Sequence, residues 1–311
     1  MIKVKQYHSE YKERWDSFIT DSKNGIFLFY RDYMEYHADR FQDNSLMFWE
    51  QEQLVGVMPA NCSDGVLVSH GGLTFGGIII NHAMKTLKMV EVFNALLRYL
   101  HKQKFKKLFY KPVPYIYTSA PAEEDLYLLG VQHAKLVRRW VSATITMQNA
   151  PVFSSRRKRC IKKALKNQLV VRQSEDYAAF MKILEELLQE KYDSTPVHTF
   201  EEITLLAERF PDNIKLFASY QSNKMLAGVL IYENSTIAHC QYIAASDEGK
   251  QLGALDIIFD YLIREHYRTK WYFDFGTSMT PDGWMVCEGL IAQKEEFGAR
   301  AVVCDMYELD V

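Results

Sequence analysis

Three apolar runs with only turn-sized breaks between them constrain this chain more than any other feature. IKLFASY (214–220), MLAGVLIYE (225–233) and TIAHCQYIAAS (236–246) are separated by QSNK and by Asn234–Ser235. Connections this short join antiparallel neighbours, so the runs predict a three-stranded meander. The segments around it have a helical period. Residues 176–191 place Phe180, Ile183, Leu184 and Leu187 on one face. In TFEEITLLAERF, Thr199 is placed to cap a second helix and Glu202 completes a capping box. After the meander, 252–268 reads as an amphipathic helix, WYFDFGTS (271–278) as a buried strand, 290–297 as a helix and ARAVVCDMYEL as a last strand. With the short strand LVVRQ (169–173) in front, the order is β-α-α-β-β-β-α-β-α-β.

The first half repeats this order more loosely. IKVKQY is a strand, 10–21 and 31–41 are helices, SLMFWE and LVGVMPA form a hairpin over QEQ, and GVLVSHGG follows. A helix over 84–103 and the strand KKLFYKPVP complete the set. Gly56 and Gly228 occupy the same place in the two hairpins, which points to an internal duplication. The expected organisation is an N-terminal domain over 1–150, a basic connecting helix over 151–167 and a C-terminal domain over 168–311. The expected class is α/β (α+β), with mixed, mostly antiparallel sheets flanked by helices.

A net charge of −2 in 311 residues excludes a globally basic nucleic-acid binder. Five scattered cysteines show no metal-ligand spacing and fit a reducing compartment. The N-terminus MIKVKQYHSEYKERW lacks a secretory apolar region, and no apolar run approaches a membrane span. A cytoplasmic protein without membrane insertion is expected. One local exception stands out: seven Lys/Arg crowd the eleven residues from Arg156 to Lys166. They form either a solvated connecting helix or an anion site for a cofactor, a nucleotide-linked substrate or RNA.

Chemistry concentrates at AHCQYIAASDEGKQLGALD (238–256), where a strand runs through a glycine-containing segment into a helix. It lacks the GxxxxGK[ST] of a phosphate loop, and its strand is not the first of a parallel set, which excludes a dinucleotide fold. Gly249, Lys250, Gly253 and Ala254 would then place backbone N–H groups at a helix start, where an anion is favoured. The alternative is a capped loop with turn glycines. His239 and Tyr242 precede this segment, on opposite faces by strict alternation, and one of them could line a channel. A hydrogen-bonded core histidine is the alternative for His239. Asp274 inside YFDFG is either functional or satisfied by backbone donors. In the first half SHGGLTFGG offers His70 and Thr74 beside four glycines, and YKPVP offers Lys111. With Arg157 of the basic helix, these are candidate acceptor-binding residues.

The element order resembles that of the GNAT acyl-CoA N-acyltransferases, whose loop after the fourth strand grips the coenzyme A pyrophosphate. Against their [RQ]xxGx[GA] pattern this chain places Glu248, Gln251 and Gly253. YFDFGTS followed by GLIAQKEEFGARAVV (289–303) resembles the end of FemAB-type transferases, in which a YDFGG-like strand precedes a helix reading FKxxFG. The resemblance implies two tandem GNAT-like domains and transfer of an acyl or aminoacyl group to an amine by direct attack. It implies acyl-CoA (acetyl-CoA) or aminoacyl-tRNA as donor, tRNA being the less favoured, and a small-molecule or cell-wall-precursor acceptor. No metal is implied. Lys294 matches the lysine of FKxxFG, for which the resemblance implies stabilisation of developing negative charge; Gln293 departs from the Phe before it. Asp274 and His239 are the other catalytic candidates, and Tyr242 with the glycine segment would meet the donor. The competing expectation is a non-catalytic protein that binds a phosphorylated ligand or RNA through the basic helix and an inter-domain cleft.

Overall fold

The computed structural model describes residues 1–280 and 283–311. The chain divides into two compact units, Met1–Arg139 with Val303–Val311, and Trp140–Val302. These bounds differ from 1–150 and 168–311 for identifiable reasons. KLVRRWVSATIT forms a strand absent from the expected element order, and its second half belongs to the second unit. The basic segment does not connect domains: it packs inside the second unit through Ile161 and Ala164. The last residues of the chain pair back, Tyr307 opposite Tyr110 and Leu309 opposite Leu108.

The first unit contains β1 (Ile2–Gln6), α1 (Lys12–Thr20), α2 (Arg31–Met34), β2 (Leu46–Glu50), β3 (Gln53–Met58), β4 (Asn61–Ser63), β5 (Val66–Val68), β6 (Ile79–Ile80), α3 (Thr86–Lys102), β7 (Lys107–Tyr110) and α4 (Glu124–Val131). The helix expected over 31–41 stops at Met34 and gives way to a 3₁₀ turn at Glu35–His37. Strands β1, β2, β3 and β6 form one antiparallel sheet. β5 lies parallel to β7 over three residue pairs. Helix α3 buries Met89, Val92, Phe93, Leu96 and Leu100, one helical stripe, against this core.

The second unit contains the later part of β8 (Lys135–Thr146), α5 (Ser155–Lys166), β9 (Val170–Ser174), α6 (Tyr177–Tyr192), α7 (Phe200–Arg209), β10 (Ile214–Gln221), β11 (Lys224–Glu233), β12 (Ile237–Ala245), α8 (Asp247–Leu252), α9 (Ala254–Tyr261), β13 (Tyr272–Thr277), α10 (Glu288–Glu295) and the first residues of β14 (Arg300–Asp310); the rest of β8 and β14 belongs to the first unit. The meander forms as its short turns require, β10 to β11 to β12, with β9 on the outer edge and β13 parallel to β12. Strand alternation sends Phe217, Val229 and Ile231 to one face, into a core shared with Ile258 and Phe259 of α9. Gly228 and Leu216 lie on the other face, where the Phe180 ring of α6 occupies the room a Cβ at Gly228 would need. Thr199 and Glu202 make the expected reciprocal cap at the start of α7. Phe273 and Phe275 of β13 meet Phe259 and Phe297 edge-on or tilted, with Phe259 and Phe275 centroids 4.9 Å apart. Each such pair adds roughly 0.5–1.5 kcal/mol beyond its buried area.

Candidate functional site

The site begins where two parallel strands part. β12 and β13 pair only at Ile237–Tyr272, Ala238–Phe273 and His239–Asp274, although β12 runs on to Ala245 and β13 to Thr277. Both strands bulge just past the last pair. On β12, Cys240 and Tyr242 oppose the adjacent residues Ile231 and Leu230, so Gln241 is extra. On β13 the pairing with β8 shifts between Asp274 and Thr277, around Gly276 at φ +73°. Bulges bend strands and re-aim side chains, and they open the gap here.

The bulge also corrects the expected facing of two residues. His239 pairs with Tyr232 and Tyr242 with Leu230, two positions that share a face of β11, so His239 and Tyr242 lie on the same side. Strict alternation puts them on opposite sides, and the extra residue reverses it.

Asp274 sits at the head of the gap, 1% exposed. One carboxylate oxygen accepts from Ser142 Oγ at 2.6 Å and Thr144 Oγ1 at 2.7 Å; the other lies 2.7 Å from His239 Nδ1. Ser142 and Thr144 are two apart on β8, so both hydroxyls reach the same face. Burial pushes the carboxyl pKa up, but the His239 imidazole and the two hydroxyls outweigh it and hold the group below its ordinary value. Asp274 is therefore an ionised carboxylate that fixes the imidazole by one ring nitrogen. The His239 side chain keeps 19% of its surface exposed.

Gly276 connects this pair to Lys294. A Cβ at Gly276 would lie 3.2 Å from His239 Cε1, so the strand passes directly over the imidazole. The Gly276 carbonyl accepts from Lys294 Nζ at 2.9 Å and that of Thr277 at 2.7 Å. Lys294 is 8% exposed, in the last turn of α10, and Phe297 just past the helix end is buried as well. Burial brings its pKa down to about 8, against an opposing pull from Asp274. An ammonium has three donors, and two are committed to carbonyls. Ser142, Thr144, Asp274, His239, Gly276 and Lys294 thus form one continuous set.

The remaining candidates have other partners. Tyr242 OH is 2.7 Å from His198 Nδ1 and accepts from the His198 backbone N–H, so its tip is engaged within the protein. SDEGKQLG is not an open loop but a short helix, α8, capped by Ser246, whose hydroxyl accepts from Gly249 N–H. Gly249 is small because the Leu226 carbonyl occupies the place of a Cβ. Gly253 ends α8 at φ +79°, and a Cβ there would sit 2.7 Å from the Cys160 carbonyl of α5. Ala254 is fully buried and Lys250 pairs with Asp247 at 2.7 Å. With Asp247 and Glu248 in the first turn, this segment does not fit a coenzyme A pyrophosphate: its close approaches serve the protein's own backbone and its charge is of the wrong sign.

Arg157, expected to meet an acceptor, is 6% exposed and bound to Asp256 at 2.8 Å and Glu296 at 2.7 Å, joining α5, α9 and the end of α10. In the first unit, Lys111 is also buried and donates to the carbonyls of His70 and Leu73. Burial lowers its pKa to about 8. His70 is 3% exposed, in the left-handed region at φ 62°, with its pKa brought down to about 3 by burial and by His37 and Lys111. Thr74 is exposed. The glycine segment therefore closes over Lys111 and secures itself, Gly76 N–H donating to the Lys111 carbonyl. Sequence reasoning missed Ser142, Thr144, His198 and the bulged Gln241. The hydroxyls at i, i+2 in VSATIT were the one visible signal.

Comparison with known proteins gives the same fold. Residues 153–282 match the family model described as an acetyltransferase (GNAT) domain. The crystal structure of FemX is 11% identical, covers 97% of this chain and 96% of its own, and superposes with a TM-score of 0.66. A C-terminal domain assigned to a lysylphosphatidylglycerol synthetase of Agrobacterium fabrum is 10% identical, with coverages of 96% and 91% and a TM-score of 0.59. A tandem GNAT protein from the clavulanic acid biosynthesis pathway is 11% identical, covers 100% and 98%, and scores 0.50. No curated protein matches by sequence. The chain has the GNAT-like α/β fold, with mostly antiparallel sheets flanked by helices, and the resemblance to FemAB-like GNAT acyltransferases holds.

Proposed function

We propose that the second unit transfers an acyl or aminoacyl group to an amine at the gap between β12 and β13. The observation that carries this reading is the continuous set from Asp274 through His239 and Gly276 to Lys294 at the point where the strands part. Asp274 orients the His239 ring through Nδ1, and to the other ring nitrogen we assign the role of proton acceptor. The acceptor amine gives its proton to that nitrogen and attacks the donor carbonyl carbon. The carbonyl oxygen gains the negative charge, and the third N–H of Lys294 stabilises it. Collapse breaks the bond to the leaving oxygen or sulfur, which takes the proton back from His239. No enzyme nucleophile is needed. The Cys240 thiol beside the gap is held protonated by burial, with Asp274 adding to the effect.

The donor is an activated ester or thioester. Because α8 does not cradle a pyrophosphate, an aminoacyl ester suits these residues better than acetyl-CoA. In the first unit the equivalent parallel pair, β5 with β7, is closed by Lys111 and the glycine segment, which supports an internal duplication with one reactive copy. The test is a transfer assay with acetyl-CoA, longer acyl-CoAs and aminoacyl-tRNAs against primary amines, read by mass spectrometry of the amide. Amide formation with at least one donor is expected. Donor hydrolysis at the same rate with and without amine would overturn the reading.

A further inference from the structure

We infer that the outward face of α5 is a docking surface for an anionic lipid bilayer. Arg157, Ile161 and Ala164 point inward, at i, i+4 and i+7, and fix the helix to the second unit. The opposite arc carries Arg156, Lys158, Arg159, Lys162, Lys163 and Lys166, all exposed. Only Arg156 has an acidic neighbour among the described residues, Glu296 at 3.8 Å. The other five cations face solvent on a helix whose geometry is already set, so binding orders little beyond their side chains.

The charge is also polarised. The chain carries −2 overall and +7 within 156–166, which leaves −9 for the rest. A negatively charged surface is repelled by the remainder of the molecule and attracted by this face alone, so the encounter is oriented. Two classes of polyanion could be recognised this way, and the neighbours of the helix favour lipid. Residues 155–166 contain no aromatic side chain on which a base could stack. Leu165 within the helix is 58% exposed, and Val152 and Val170, which lie shortly before and after it in the chain, are 78% and 61% exposed. Cations flanked by exposed aliphatics suit a headgroup layer with acyl chains beneath it. The surface is peripheral: among the described residues no helix is long and apolar enough to cross a membrane. This inference does not depend on acyl transfer.

The test is co-sedimentation with vesicles of phosphatidylcholine, with and without phosphatidylglycerol, at low and high salt. The wild-type chain should bind only the anionic vesicles and release in high salt, as screened attraction must. Replacing three exposed cations, Arg159→Gln, Lys162→Gln and Lys166→Gln together, should weaken binding by roughly 100-fold. An equal charge change elsewhere, Lys102→Gln, Lys104→Gln and Lys106→Gln, should leave binding within about threefold. All six side chains are exposed, so both variants should melt like the parent. Equal binding to neutral vesicles, equal loss in both variants, or binding to a transfer RNA probe without binding to vesicles would each overturn the proposal. None of these outcomes bears on turnover with soluble substrates.

Discussion

Lys294 is a buried cation held by two carbonyls, and its protonation links stability to pH. In the folded state the amine titrates near 8 rather than 10.5. Between those values the unfolded chain binds more protons, so native stability rises with pH across that window; below it both states are charged and the cost of burial is fully present. A shift of this size corresponds to up to roughly 3 kcal/mol. Denaturant unfolding of wild type and Lys294→Met from pH 7 to 10.5 should show the stability difference moving in favour of wild type as pH rises. A constant difference would mean that the ammonium is not buried at a cost. His239→Gln should lower turnover by roughly 100- to 10,000-fold as a lost proton acceptor. Asp274→Asn should do the same, because it removes the charge that fixes the ring. Unchanged turnover in both would remove the pair from the chemistry.

At this scale the sequence was legible wherever spacing along one element carried the information. Lys294 and Phe297, three residues apart in the segment read as a helix, are both buried. The sequence was silent on the neighbours of Asp274, because Ser142 and Thr144 come from a strand more than a hundred residues away. The one-residue bulge at Gln241 leaves no trace in the period and reversed the facing of Tyr242 relative to His239.

Elements were easier to place than their junctions. The meander, the capped α7 and the amphipathic α3 formed as their periods required, since each segment's own pattern is sufficient to specify it. The segment 246–253 reads in sequence either as an anion-binding helix start or as a capped loop, because ligand-facing, turn and packing glycines are identical letters. Its glycines exist to admit Leu226 and Cys160 carbonyls. Gly253→Val should therefore destabilise the protein by roughly 1–3 kcal/mol, through a strained left-handed junction and a clash with α5. Chemical denaturation measures this directly; a stable variant with weakened donor binding would instead restore a ligand role to the segment. Arg157 makes the corresponding case for charge. Asp256 is 7% exposed, its pKa raised by burial and pulled back by Arg157. Arg157→Ala strands that carboxylate and should cost roughly 3–5 kcal/mol, visible as a large fall in melting temperature.

On the scale of the whole molecule, fold class was readable because element order survives where identity does not, at 11% against FemX. Unit bounds were not readable. Long strands that run from one unit into the other look like any other strand in sequence, and the pairing of the last strand with β7 is a long-range event. The two units share a hairpin followed by a brief parallel pair; in the first Lys111 donates to the His70 carbonyl just past that pair, and in the second His239 meets Asp274 at its end.

The most direct test of the account is single-turnover acyl transfer by wild type, His239→Gln and Lys294→Met with one donor and one amine, alongside donor affinity by calorimetry. Both variants should remain folded at pH 7 and bind donor within about threefold of wild type. Lys294→Met should transfer the acyl group roughly 100- to 1000-fold more slowly, and His239→Gln should lose at least about 100-fold. Transfer at near the wild-type rate by either folded variant would contradict the assignment of the reaction to this gap.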